Sequence, residues 1–173
     1  KLDIPKHWKA LDLEENQQQG STGGLFDFSD EFIEPTGIYK EYYELLQVLK
    51  SAFLQAKTLG SLIQIENEHL TNLVALKELL QVKEEYSDPS AKQAASSLMP
   101  IVSQAILLAQ LYDVIVANPP YMGAKFYTPV LKDYINFCFK EARADLYSVF
   151  LARNLELAKQ SGYVAMITIP NWM

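Results

Sequence analysis

From Gly37 onward, apolar positions recur at helical spacing. Ile38, Tyr42, Leu45, Leu49, Ala52, Phe53 and Ala56 fall mostly three or four residues apart, which predicts an amphipathic helix ending near Gly60. A second helix is predicted from about Asn67 to Tyr86. Leu70, Leu73, Val74, Leu76 and Leu80 turn inward, Leu79 is a further candidate, and Lys83, Glu84 and Glu85 lie on the polar side. Ser87-Asp88-Pro89 stops it. A third helical stretch, 90–110, contains Pro100. Proline removes a backbone N–H and crowds the preceding turn, so a kink or split is expected there. Residues 1–36 show no sustained period. They hold three consecutive glutamines and a Gly-Ser-Thr-Gly-Gly run at 20–24, and are read as irregular, anchored by Leu25, Phe26 and Phe28.

The texture changes at Leu111. Val114-Ile115-Val116-Ala117 is a short, β-branched apolar run, the pattern of a strand buried on both faces of a parallel sheet. Asn118-Pro119-Pro120 ends it, because two prolines cannot continue a central strand. Thr128-Pro129 reads as an N-cap with proline in the first turn, opening a helix through Leu131, Tyr134, Ile135, Cys138 and Phe139. Another helix is predicted from about Asp145 to Gln160, with Leu146, Val149, Phe150 and Leu157 on one side. Lys159 falls in its last turn and Gly162 just beyond. Residues 163–169 form a second buried-strand candidate. Strand, helices, strand is a βαβ unit, so the fold class is α/β.

Composition narrows the picture. The 173 residues carry a net charge of −6, and 15 Lys and Arg show no clustering in sequence, so this chain is not expected to be the main DNA-gripping surface. One cysteine, Cys138, rules out an internal disulfide framework and fits a reducing cytoplasm. The near-apolar stretch 105–117 is interrupted by Gln110 and Asp113 and is too short for a bilayer, so no membrane span is expected. Both ends read as cuts through a longer protein. His7 and His69 are far apart and suggest no metal site. Cys138 reads as a small core residue, Asp113 as a surface or turn residue, and Asp145 as a helix N-cap.

The chemistry lies in Asn118-Pro119-Pro120-Tyr121. Methylating an exocyclic amine requires a group that accepts hydrogen bonds from that amine and holds its nitrogen in line with a methyl donor. An Asn side-chain oxygen is one neutral acceptor. A following proline carbonyl, fixed by its rigid ring, is another. An adjacent aromatic ring offers an extruded base a face to stack on. The loop follows the carboxyl end of a parallel-type strand, where open α/β sheets bind ligands.

Residues 112–123 resemble the catalytic-motif strand and loop of the adenine-N6 DNA methyltransferases, most closely the BREX-type phage-defence branch. The stretches 144–150, 162–173 and 58–65 resemble neighbouring segments of that family. The resemblance implies a partial Rossmann-like, S-adenosyl-L-methionine-dependent methyltransferase sheet with a preceding helical segment. Its implied parts are 1–36 irregular, 37–110 a helical connector or insertion, and 111–173 the C-terminal part of the catalytic domain. It implies that Asn118 and Pro119 accept from the adenine amino group and that Tyr121 stacks on the base. Pro120 and Phe150 would border the cofactor, and Lys125 could meet phosphate. It also implies DNA as substrate and other defence-system subunits as partners.

The family's glycine-rich cofactor loop has no match. The Gly20–Gly24 run follows glutamines, not a strand, so the isolated chain is expected to bind cofactor poorly and to be inactive. The same loop also serves enzymes that methylate glutamine side chains or RNA bases, and a non-catalytic interaction fragment is a third reading.

Overall fold

The computed structural model describes residues 37–168. The irregular segment 1–36, with its glycine run and His7, Ile169 at the end of the second predicted strand, and residues 170–173 lie outside the described residues. What is described forms two compact units, one of residues 37–54 and 69–106, the other of residues 55–68 and 107–168.

The first unit is helical. Helix α1, Ile38–Ala52, buries Tyr42, Leu45, Leu46 and Leu49, and Phe53 continues that face into a 3-10 turn. Ile38, expected inside, is exposed. The second unit's α2, Ala56–Leu59, ends at Gly60, whose φ of 54° suits glycine. Helix α3, Leu70–Tyr86, buries Leu73, Leu76, Leu80 and also Lys83. Lys83 was expected on the polar side. It lies three residues beyond Leu80 on the same face, and its aliphatic stem packs there. Val74, expected inside, is exposed.

Helix α4, Pro89–Ala109, is started by Asp88, whose Oδ1 accepts from the N–H groups of Ser90 at 2.8 Å and Ala91 at 3.2 Å. A kink or a split is expected at Pro100, and of the two the split is absent: the helix is continuous through it. Pro100 faces solvent. The buried stripe Ala91, Ala94, Ala95, Leu98, Val102 and Ala105 is mostly small, which lets a neighbouring backbone approach closely.

The second unit holds the α/β part. Strand β1, Tyr112–Ala117, pairs in parallel with β2, Ala158–Met166. Helix α5, Pro129–Cys138, and α6, Leu146–Leu157, lie between them. Thr128 caps α5 by accepting from Leu131 N–H at 3.3 Å, and α5 buries Leu131 and Ile135.

Two expectations fail at the sheet. Helix α6 stops at Leu157, so Lys159 and Gly162 belong to the strand rather than to a helix end. The pairing moves from Tyr112↔Ala158 to Val114↔Tyr163, a bulge in β2. Gly162 sits in that bulge, where a Cβ would stand 2.9 Å from the Tyr112 carbonyl oxygen. Lys159 reaches Asp113 at 2.9 Å across the strands, at the surface. The second failure concerns burial. Val114 is 58% and Val116 79% exposed, and Tyr163 beside them is also open. Among the described residues the sheet has two strands. Helix α6 touches both of them, and Asn154 of α6 reaches the Met166 sulfur at 3.5 Å. Met166 alternates with Tyr163 and Ala165, so the helix covers one face and leaves the other open.

Buried Arg153, 4% exposed, organises this unit. Its guanidinium donates to the carbonyl oxygens of Ser61 at 3.1 Å, Ile63 at 2.7 Å and Leu108 at 3.3 Å, and to Glu156 at 3.3 Å. Tyr134 adds a second tie. Its hydroxyl donates to Leu62 O at 2.9 Å and accepts from Gln64 N–H at 3.2 Å. These bonds tie residues 61–64 to helices α5 and α6 within the second unit.

Candidate active site

Strand β1 delivers the chain to Asn118 at its carboxyl end. Pro119 cannot donate to a ladder, so pairing stops and the chain turns. Ile167 N–H still reaches the Ala117 carbonyl oxygen at 3.1 Å, one step past β2. In the turn, Pro119 is buried and anchors it, while Asn118, Pro120 and Tyr121 are exposed. Three of the four residues are therefore presented to solvent, and Pro119 alone is packed inside.

Five contacts fix the turn's exit. Tyr121, 44% exposed, donates its hydroxyl to Ile167 O at 2.9 Å. Its ring centroid lies 6.4 Å from that of Tyr147 on α6, with the planes at 57°. Beyond it, the chain runs antiparallel to the entry of α6. Leu146 N–H reaches Met122 O at 2.9 Å, Ala124 N–H reaches Ala144 O at 3.1 Å, and Gly123 bridges Asp145. Asp145 caps α6 through Oδ1 and Tyr147 N–H at 3.2 Å. The cap therefore holds both the helix and the segment leaving the turn.

The arrangement can present two neutral acceptors and a ring to one ligand. Among the described residues, neither the Asn118 amide nor the Pro119 carbonyl takes part in a hydrogen bond. Their capacity remains open to a ligand's N–H groups, and the Tyr121 ring stands next to them with its hydroxyl already satisfied.

The remaining candidates lie further off. Phe150 is half-buried on α6, one turn beyond Tyr147 and so on the same side of the helix. Lys125 is exposed in the Ala124–Phe126 turn, its Nζ 4.8 Å from the Phe126 ring centroid. Cys138 is partly buried, which pushes its thiol pKa up, as expected of a packing residue rather than a nucleophile. Tyr147 and the Ile167 carbonyl were not anticipated. Tyr147 lies three residues before Phe150 in a stretch already singled out, but only the three-dimensional contact reveals its role. No helix among the described residues is long and apolar enough to cross a membrane.

With this geometry described, the comparisons with known proteins become specific. The family model described as Eco57I restriction-modification methylase matches residues 61–173. The chain is similar to the adenine-specific methyltransferase BrxX of Escherichia coli O9:H4 (strain HS), 36% identical over all 173 residues, and spans 14% of that protein's length. It is also similar to the adenine-specific methyltransferase PglX of Lacticaseibacillus casei (strain Zhang), 32% identical over 126 residues, 70% of the chain and 10% of the relative. The matched region contains both strands, helices α5 and α6 and the exposed turn between them, and this chain belongs to the Eco57I restriction-modification methylase family.

Proposed function

We propose that this chain carries part of the catalytic centre of an enzyme that methylates adenine N6 in DNA, within a restriction-modification or phage-defence system. The observation that supports this most directly is the exposed turn at the end of β1. There two neutral acceptors without partners among the described residues stand beside a braced aromatic ring. The names of both relatives, adenine-specific methyltransferases, favour adenine over other planar amines.

In this reading the base leaves the helix and stacks on Tyr121. The Asn118 amide oxygen and the Pro119 carbonyl accept from its two amino N–H groups. That draws lone-pair density onto the nitrogen and holds it for attack. The proton leaves after the nitrogen has bonded to carbon, so no general base of shifted pKa is required. S-adenosyl-L-methionine, when bound, supplies a sulfonium methyl group. Exposed Pro120 and half-buried Phe150 fit one edge of such a group.

DNA would be gripped mainly by parts of the protein outside this acidic chain, with other defence-system subunits as partners. The enzyme would work in the cytoplasm. We take residues 111–173 as the C-terminal part of the catalytic domain and 37–110 as its helical connector, with 55–68 docked on the catalytic part. The open face at Val114, Val116 and Tyr163 would be covered in the full-length enzyme.

The test is methyl transfer by the full-length protein with labelled cofactor on three acceptors: DNA, RNA and a glutamine-containing protein such as a release factor. Label on adenine N6 of DNA is expected. Label on RNA or protein alone would move the activity to another amine, and none on any acceptor would favour a non-catalytic role.

A further inference from the structure

A cleft of about 380 Å³ opens in the second unit just beyond the proposed catalytic turn. Its walls are the Ala124–Tyr127 segment, the Lys132–Asn136 face of α5 and the Arg143–Ala144 turn before α6. Lys132 and Asn136 are four residues apart on the helix and so share a face. The Ala124 N–H bond to Ala144 O, 3.1 Å, fixes the wall bearing Arg143 against the segment leaving the catalytic turn.

Three features give this cleft an anionic preference. Lys132 and Arg143 both line it, and among the described residues neither forms an ion pair. This contrasts with Arg153 and Lys159, which both have carboxylate partners, in a chain whose net charge is −6. Next, Asn136 adds an amide donor between them. Last, the Tyr127 hydroxyl is buried and has no hydrogen-bond partner among the described residues. Burial first, and the Asp145 carboxylate second, push its pKa up, so it remains a donor at neutral pH. Asp145 is the acidic group facing this tyrosine, and its Oδ1 is committed to capping α6.

We propose that this cleft holds a backbone phosphodiester of the nucleic-acid strand that carries the target nucleotide. The proposal rests on the nucleic-acid reading given above. Arg143 contributes a planar fork suited to phosphate oxygens, Lys132 a point charge and Asn136 a neutral donor. Asn118 and Ala124 are six positions apart, at most about 21 Å of extended chain. A contact there fixes the register of the strand and is independent of base sequence. Lys125, the phosphate candidate from sequence, sits instead over the Phe126 ring.

The experiment titrates the full-length protein, isotope-labelled at its backbone amides, by two-dimensional NMR. Its probes are a thymidine dinucleotide with one phosphodiester, the same dinucleotide with an uncharged methylphosphonate link, and inorganic phosphate. The diester is expected to shift the amides of Ala124, Tyr127, Asn136 and Arg143, and the methylphosphonate to leave them in place. Arg143→Gln and Lys132→Gln are each expected to weaken the response by about tenfold, and Arg143→Lys, which keeps the charge, to weaken it less than Arg143→Gln. Both side chains are exposed, so the rest of the spectrum should match that of the unsubstituted chain. A diester that moves none of these amides overturns the proposal. So does an equal response to the methylphosphonate, or a response to inorganic phosphate alone. The readout is binding without methyl transfer, so its failure leaves the adenine assignment standing, and a failed methylation assay leaves the cleft testable.

Discussion

The hydroxyl of Tyr121 donates to the backbone oxygen of Ile167 across 2.9 Å. The N–H of the same Ile167 reaches Ala117 O at 3.1 Å. One residue just past β2 therefore grips both ends of the turn that holds Asn118, Pro119 and Pro120. The Tyr121 ring is fixed to the neighbouring strand, and the turn that precedes it is fixed at its start by the same residue.

Tyr121→Phe keeps the ring and removes this tie. A neutral hydrogen bond of this kind contributes about 1 kcal/mol. If its loss loosens the ring only in the reacting complex, methylation by the full-length protein should fall by about fivefold to tenfold. Tyr121→Ala removes the stacking face too and should cost considerably more. Initial rates with labelled cofactor at saturating DNA measure both. Equal losses in the two variants would deny the ring a role.

Arg153→Leu leaves the carbonyls of Ser61, Ile63 and Leu108 without their donor inside the second unit. Stranding buried acceptors costs about 1–3 kcal/mol each before relaxation or water entry. A net destabilisation of roughly 3 kcal/mol is expected, a fall in Tm of roughly 6–12 °C by circular dichroism. Arg153→Lys, which keeps one donor group, should lie between.

Gly162→Ala tests the bulge. The added methyl would meet backbone oxygens at 2.9 Å from Tyr112 and at 3.1 Å from both Asp113 and Lys159. None of these is a flexible side-chain end, so the strand itself must shift. A loss of about 1–3 kcal/mol is expected in urea unfolding. A neutral result would mean that β2 has other ways to pair with β1.

Tyr134 gives a pH dependence with a definite sign. Burial first, then the neighbouring Cys138, raise its pKa to about 12 from an ordinary 10.0. The unfolded chain loses this proton first. The tyrosine's contribution is therefore complete below pH 10 and is lost as pH rises toward 12. Urea midpoints across that window should fall less steeply in Tyr134→Phe than in the unsubstituted chain.

Local pattern made several elements legible. Thr128-Pro129 marked the start of α5, Asp145 the cap of α6, and the β-branched run at 114–117 a parallel strand. The exposed turn at Asn118–Tyr121 follows from the same reading. What the pattern missed depends on distant partners. Lys159 and Gly162 look like the end of a helix, and only pairing with Tyr112 and Asp113, nearly fifty residues earlier, turns them into strand and bulge. Arg153 reads as one more polar helix residue. Its burial requires carbonyls about 45 and 90 residues away in sequence. Val114 and Val116 are apolar on a face that nothing among the described residues covers, so sequence suggested burial where exposure is found. Pro100 carries the signal of a kink or a split, yet the helix runs on through it to Ala109.

The most direct measurement of the central claim is methyl transfer to adenine in DNA by the full-length protein carrying Asn118→Ala, beside Asn118→Asp. If the preorganised acceptor matters as much as one oxyanion-hole donor does, its removal costs about a hundredfold to a thousandfold in rate. The alanine variant should fall by that amount while still folding, since Asn118 is exposed and makes no hydrogen bond among the described residues. The aspartate variant, which keeps an acceptor oxygen, should retain more activity. Unchanged transfer by the alanine variant would contradict the account.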